Sequence, residues 1–181
     1  MSDVQRFRSD ALARLTNRIG VYALCDLDAR PIYVGQSVDG IRTRVRRHLT
    51  SARSDIIANR QIDVWEIGFV WAWPCDDVAQ IGPLENAIYV HFDDDLPLMN
   101  GKTLETGLFD RSPDWPERQS VQVIDDATLT SRRDPSQRLP RQIEQYRILV
   151  DYILNVKEAP HLRRSLNAHF ERMVRYHRDF L

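Results

Sequence analysis

The sequence predicts an α/β (α+β) chain: a small three-stranded sheet, mixed or antiparallel, flanked by helices and followed by a C-terminal helical hairpin. Three observations carry this expectation. Residues 20–26 and 31–35 are rich in Val, Ile, Tyr and Leu, and the polar link Asp26–Arg30 separates them, which is the pattern of a β-hairpin. Residues 62–73, IDVWEIGFVWAW, supply a long third strand in which Gly68 marks a bulge or a close approach. Residues 139–157 and 160–180 each repeat apolar side chains at helical spacing, with a short connection between them.

The remaining elements follow in order. Residues 4–17 form an amphipathic helix with Val4, Phe7, Leu12 and Leu15 roughly on one side. After the hairpin, 39–50 has helical spacing, and 52–60 reads as a second, shorter helix. Residues 76–92 read as a helix interrupted at Gly82-Pro83, its stronger part starting at Pro83 because proline fits a first turn. Residues 93–137 hold four of the nine prolines and few periodic apolar positions, so an irregular insertion or linker is expected, with VQVI at 121–124 a candidate short strand. In the hairpin, the core-facing residues are expected to be Ile143, Tyr146, Val150, Ile153 and Leu154, then Leu162, Leu166, Phe170, Met173, Val174 and Phe180. The organisation that results is a core over 1–100, an irregular insertion or linker over 101–138, and a two-helix element over 139–181 packed on the core.

Composition narrows the class. A chain of 181 residues suggests one domain with an appendage. No apolar run approaches the roughly 18 residues of a membrane span. The N-terminal MSDVQRFRSD lacks an apolar segment, so the expectation is a cytoplasmic protein with no membrane partner. Cys25 and Cys75 stand fifty residues apart without metal-type spacing and read as reduced core thiols. The net charge of −1 does not favour nucleic acid, but the charge is unevenly spread. Residues 1–100 carry 11 basic and 14 acidic side chains, whereas 138–181 carry 9 and 5.

Chemistry concentrates between residues 20 and 100. On the 39–50 helix, Ile41, Arg44, Val45 and His48 fall within about 100° of one another. An arginine and a histidine therefore flank the stripe that faces the core, while Arg42, Arg46 and Arg53 lie together on another face, with Arg47 beside His48. On the 83–92 helix, Glu85 shares its face with Ile88, Tyr89 and Phe92. A carboxylate there needs either an arginine or a divalent cation that prefers hard oxygen ligands. Two hairpin tyrosines, Tyr22 and Tyr33, complete a set suited to phosphodiester hydrolysis. That reaction needs an activated water and cations to neutralise the charge that develops.

The order of these residues resembles the GIY-YIG nuclease family, found among homing endonucleases, excision-repair nucleases and some restriction enzymes. Gly20-Val21-Tyr22 matches the first motif and Tyr33-Val34-Gly35 the second. Gly35-Gln36-Ser37 matches the residues that follow, Arg44 and His48 the helix motif, Glu85 in PLENAIYVHF the metal-binding glutamate, and Asn100 the closing asparagine. The resemblance covers residues 20–100 and departs from the family at Gly82-Pro83 and in the acidic cluster Asp93-Asp94-Asp95. It implies that Tyr22 or Tyr33 is the general base and the other orders the water or the phosphate. Arg44 would then stabilise phosphate charge, with His48 assisting. Glu85 would be the one protein ligand of a single Mg²⁺ (or Mn²⁺). Gly20, Gly35, Ser37 and Asn100 would support the site.

The C-terminal helices carry arginines on their other face, and Arg163, Arg164 and Arg172 join Arg42, Arg46, Arg47 and Arg53 as candidate contacts to DNA phosphates. A homodimer would give two active sites for cutting two strands. The expected function is thus a metal-dependent DNA endonuclease of restriction or defence, mobile-element or repair type. The alternative is a module of the same fold that binds nucleic acid or a partner without cutting.

Overall fold

A computed structural model of the chain describes residues 3–51, 54–100 and 115–180. The described residues form seven α-helices and one four-stranded sheet of order β2-β1-β3-β4 in which every pair is antiparallel. Helix α1 (Asp3–Arg14) leads into the hairpin β1 (Gly20–Cys25) and β2 (Pro31–Ser37). Helices α2 (Ile41–Thr50) and α3 (Asp55–Ala58) precede β3 (Phe69–Pro74), and α4 (Ile81–Asp93) follows it. Then come β4 (Gln119–Gln122), α5 (Asp126–Arg133), α6 (Pro135–Asn155) and α7 (Pro160–Phe180).

The sheet has four strands where the sequence predicts three. The VQVI segment supplies the extra one, two residues earlier than expected, because Val121 pairs with Val70 and buries its side chain. The third strand is shorter than the apolar run suggests. Residues Val64–Glu66 turn as a 3₁₀ helix, with the Asp63 carboxylate accepting from Trp65 N–H at 3.0 Å. Gly68 then passes the β1–β2 turn so closely that a Cβ there would lie 3.1 Å from the Asp26 carbonyl oxygen. Gly82-Pro83 does not interrupt α4. Both residues fall in its first turn, where amide hydrogens have no intrahelical acceptor in any case.

The two sheet faces build two cores. Tyr22, Leu24, Val70 and Ala72 face Leu12 and Leu15 of the N-terminal segment and Ile41, Val45 and Leu49 of α2. Val21, Ala23, Cys25, Val34 and Trp73 face Ile81, Ile88 and Tyr89 of α4. Both cysteines are free and buried, as the sequence predicts.

The region 115–138 and the hairpin differ from expectation. Helix α5 and the start of α6 lie where an irregular segment is expected, and residues 101–114 of that segment lie outside the described residues. The hairpin also sits on the core with a different face. Its buried residues on α6 are Arg138, Gln142, Gln145, Leu149 and Ile153, whereas the expected Ile143 and Leu154 are 57% and 75% exposed. On α7, Leu162, Ser165, Ala168, His169, Arg172 and Tyr176 are buried, whereas Phe170 and Phe180 are 45% and 54% exposed. The cause is the surface beneath, which presents the buried carboxylates Asp26 and Glu66. Buried carboxylates need cations and hydrogen-bond donors, and those are polar residues of the hairpin. Arg138 donates to Glu66 at 2.9 Å and to Asp28 at 2.5 Å, Gln142 donates to Glu66 at 2.6 Å, and the Tyr176 hydroxyl donates to Asp26 at 2.9 Å.

Candidate active site

The β1–β2 register sets Tyr22 opposite Gly35 and Leu24 opposite Tyr33. Opposed residues share a face, so the two tyrosines are diagonal neighbours on one side of the sheet, with ring centroids 6.3 Å apart. Gly35 is needed here for space. A Cβ on it would stand 2.6 Å from the Tyr22 hydroxyl and 2.9 Å from Cε1 of Tyr33. Gly20 is needed for a close approach between strands, since a Cβ there would meet the Trp73 carbonyl oxygen at 2.2 Å, and its φ of +145° favours glycine.

Helix α2 brings the next two residues. Ile41, Val45 and Leu49 anchor its buried face, and His48 enters the same core with 2% exposure. Its Nε2 lies 2.7 Å from the Tyr22 hydroxyl and its Nδ1 lies 2.5 Å from Ser54 Oγ. The imidazole centroid is 5.9 Å from both tyrosine rings. Arg44, one turn before His48, is half-buried, and its positive charge favours ionisation of the same Tyr22 hydroxyl. Its Nε is buried without a hydrogen-bond partner.

Burial pushes the Tyr22 hydroxyl well above the ordinary tyrosine range. Tyr33 adds to the rise, Arg44 opposes it, and the Glu85 carboxylate adds to it across the gap from α4. Tyr22 therefore keeps its proton. It shares a hydrogen bond with His48 Nε2, whose Nδ1 shares another with Ser54 Oγ. The result is a buried chain of three polar groups, Tyr22, His48 and Ser54, with His48 at its centre. Tyr33, by contrast, is only half-buried.

Glu85 is half-buried on α4, one turn before the buried Ile88 and Tyr89. Arg164 of α7 grips the same helix, bonding Tyr89 Oη and both oxygens of Asp93 at 2.7 and 2.8 Å. Among the described residues, no group of three or more His, Cys, Asp or Glu gathers where it could hold a metal ion.

Two further predicted residues are tied into the frame of the site. Asn100 bonds both backbone groups of Val34: Oδ1 accepts from Val34 N–H at 2.9 Å and Nδ2 donates to the Val34 carbonyl at 2.6 Å. Ser37 Oγ donates to the Gly40 carbonyl at 2.9 Å and closes the turn into α2.

The arginines divide. Arg46 and Arg47 are exposed on α2, and Arg53 lies outside the described residues. Arg42 donates from Nε to the Leu15 carbonyl at 2.7 Å, tying α2 to the chain after α1. Arg163 is exposed and pairs with Glu158 at 3.0 Å. Arg164 is committed to Tyr89 and Asp93, as above. Arg172 is 1% exposed and donates to the Pro31 carbonyl at 2.8 Å, so it is an internal residue and not a contact for DNA. Its burial follows from the buried Asp26 carboxylate, which lies 3.8 Å from Arg172 Nη1.

The structure thus gathers Tyr22, Tyr33, Arg44 and His48 about Gly35, and removes Arg172 from the predicted set. Sequence reasoning missed Ser54. The signal available was indirect: a buried histidine has two ring nitrogens to satisfy. No family model matches the chain, and comparison with curated proteins and with solved structures finds no match.

Proposed function

We propose that the chain is a metal-dependent endonuclease that hydrolyses DNA phosphodiester bonds, of the GIY-YIG type that its sequence resembles. The observation that carries this reading is the convergence of Tyr22, Tyr33, Arg44 and His48 on one sheet face. Each has a task in the reaction. The buried, unpartnered Arg44 Nε is a donor suited to a phosphate oxygen, and the guanidinium fork suits the charge that builds there. Tyr33 is the tyrosine placed to meet water, so it takes the proton of the attacking water or aligns it. Tyr22 holds its proton and fixes His48.

Glu85 fits the remaining role. One hard carboxylate suits Mg²⁺ (or Mn²⁺), which binds through one or two carboxylates and keeps several waters. When bound, the ion supplies charge neutralisation at the phosphate and support for the leaving oxygen. The residues of this chain contribute Glu85 as the holder and Arg44 as a second positive charge.

A second reading is a non-cutting binding or interaction module. Full burial of Tyr22, and the use of Arg42, Arg164 and Arg172 in internal bonds, favour it. One experiment separates the two. Supercoiled plasmid is incubated with the full chain, with and without Mg²⁺, beside Glu85→Ala. Relaxation or linearisation that requires the ion and vanishes in the variant is expected. Metal-independent binding with no cleavage of any DNA or RNA would overturn the enzyme in favour of the module.

A further inference from the structure

The hairpin turns apolar side chains to solvent. Ile143 and Leu154 of α6 and Phe170 and Phe180 of α7 are between 45% and 75% exposed. The Tyr146 and Phe170 rings lie 6.3 Å apart and join the two helices into one surface. Residues 143, 146, 150 and 154 on α6, and 166, 170, 173 and 180 on α7, recur in steps of three, four or seven, the spacing of a seam that packs against other helices. On α6 this stripe lies about 100° round from the buried Arg138–Gln142–Leu149 face at 100° per residue. It is therefore a second face, distinct from the one on the core. Single exposed leucines are ordinary, but a continuous apolar strip is not.

We infer that this strip is the interface with a second copy of the chain, the two hairpins closing into a four-helix bundle. Size supports this occupant. Each helix has 21 residues. The strip occupies residues 143–154 and 166–180, about 18 and 22 Å of helix at about 10 Å width, so it covers roughly 400 Å². Stable pairs cover about 800 Å² per partner, so the strip supplies about half of an interface and the charged rim beside it would supply the rest. Charge supports it too. The rim carries both signs, with Glu144, Arg147 and Asp151 exposed along α6 and Glu171 and Arg178 along α7. A nucleic acid would call for a basic surface, and a lipid surface for a Lys/Arg-rich flank. A mixed rim about an apolar strip suits its own copy, since a two-fold axis brings one patch onto itself. The inference does not depend on the nuclease reading.

Sedimentation of the full chain tests it. The expected mass is about twice 21.2 kDa. Phe170→Glu and Ile143→Arg should each return the monomer with unchanged circular dichroism, while Val78→Glu, at an exposed position before α4, should leave the dimer intact. Hydrogen exchange on the unaltered chain supplies a measurement that no folding defect can spoil: amides of 143–154 and 166–180 should lose protection on dilution. A monomer at the highest soluble concentration would overturn the inference. So would a dimer insensitive to both substitutions, or protection of this face that appears only when duplex DNA is added.

Discussion

The Tyr22 hydroxyl stands 2.7 Å from Nε2 of His48, between a strand and the helix that follows the hairpin, with both side chains buried. The bond lies where water cannot substitute for a lost partner. Chemistry and stability are therefore coupled at Tyr22 and separable at Tyr33.

Tyr22→Phe should cost about 1–3 kcal/mol, because it strands His48 Nε2 in a buried site. Tyr33→Phe should cost less than about 1 kcal/mol, yet lower plasmid cleavage by about 100-fold or more as the water-facing tyrosine. Urea unfolding and cleavage rates measured side by side check this. Normal cleavage by Tyr33→Phe would remove it from the chemistry.

Ser54→Ala should leave His48 Nδ1 without its partner at 2.5 Å and lower stability by about 1–3 kcal/mol. It should also displace the pH profile of cleavage, because the proton position on His48 is no longer fixed. Ser54→Thr keeps the hydroxyl and should restore the profile. A profile identical in Ser54→Ala and the unaltered chain would make Ser54 a packing residue only.

Gly35→Ala places a methyl 2.6 Å from the Tyr22 hydroxyl. One ring must move, so cleavage should fall at least about tenfold with a stability loss of about 1–3 kcal/mol. Retained cleavage together with an unchanged unfolding midpoint would mean that the gap tolerates a side chain.

His169 is 2% exposed and donates from Nε2 to the Gln61 carbonyl at 3.1 Å. Burial pulls its pKa down to about 4, with the Gln61 bond opposing. The unfolded chain binds the proton near the ordinary value of about 6.5, and the folded chain only near 4. This part of the stability is therefore complete above about pH 6.5 and is lost as pH falls toward 4. The full effect is on the order of 3 kcal/mol. Urea midpoints at neutral and mildly acidic pH should differ less for His169→Gln than for the unaltered chain. Equal differences would discard the assignment.

Local pattern carried much of this structure. The hairpin, α2 and the first-turn proline of α4 are set by neighbours in sequence, and each lies close to where periodicity places it. The diagonal pairing of Tyr22 with Tyr33 follows from strand register across a short turn. What periodicity misjudged was the facing of α6 and α7. Apolar spacing marks a face that leaves water but not what it leaves water for. The buried Asp26 and Glu66 draw Arg138 and Arg172 inward and turn the apolar stripes out. Arg172 was hidden for the same reason, because its counter-charge lies 146 residues away in sequence, at Asp26. Ser54 was hidden because its role exists only once His48 is buried beside it.

Asn100 has a consequence beyond the site. Strand β2 is the rim of the sheet, and the asparagine amide takes both the N–H and the C=O of Val34, while Met99 N–H donates to the Ile32 carbonyl at 2.8 Å. The middle of the rim is thus filled by the chain itself, at the places where a stray strand from another molecule would begin to zip on. Opening it, as Asn100→Ala would, should show first as fibril or aggregate growth on storage, before any fall in the melting temperature reveals a weaker fold.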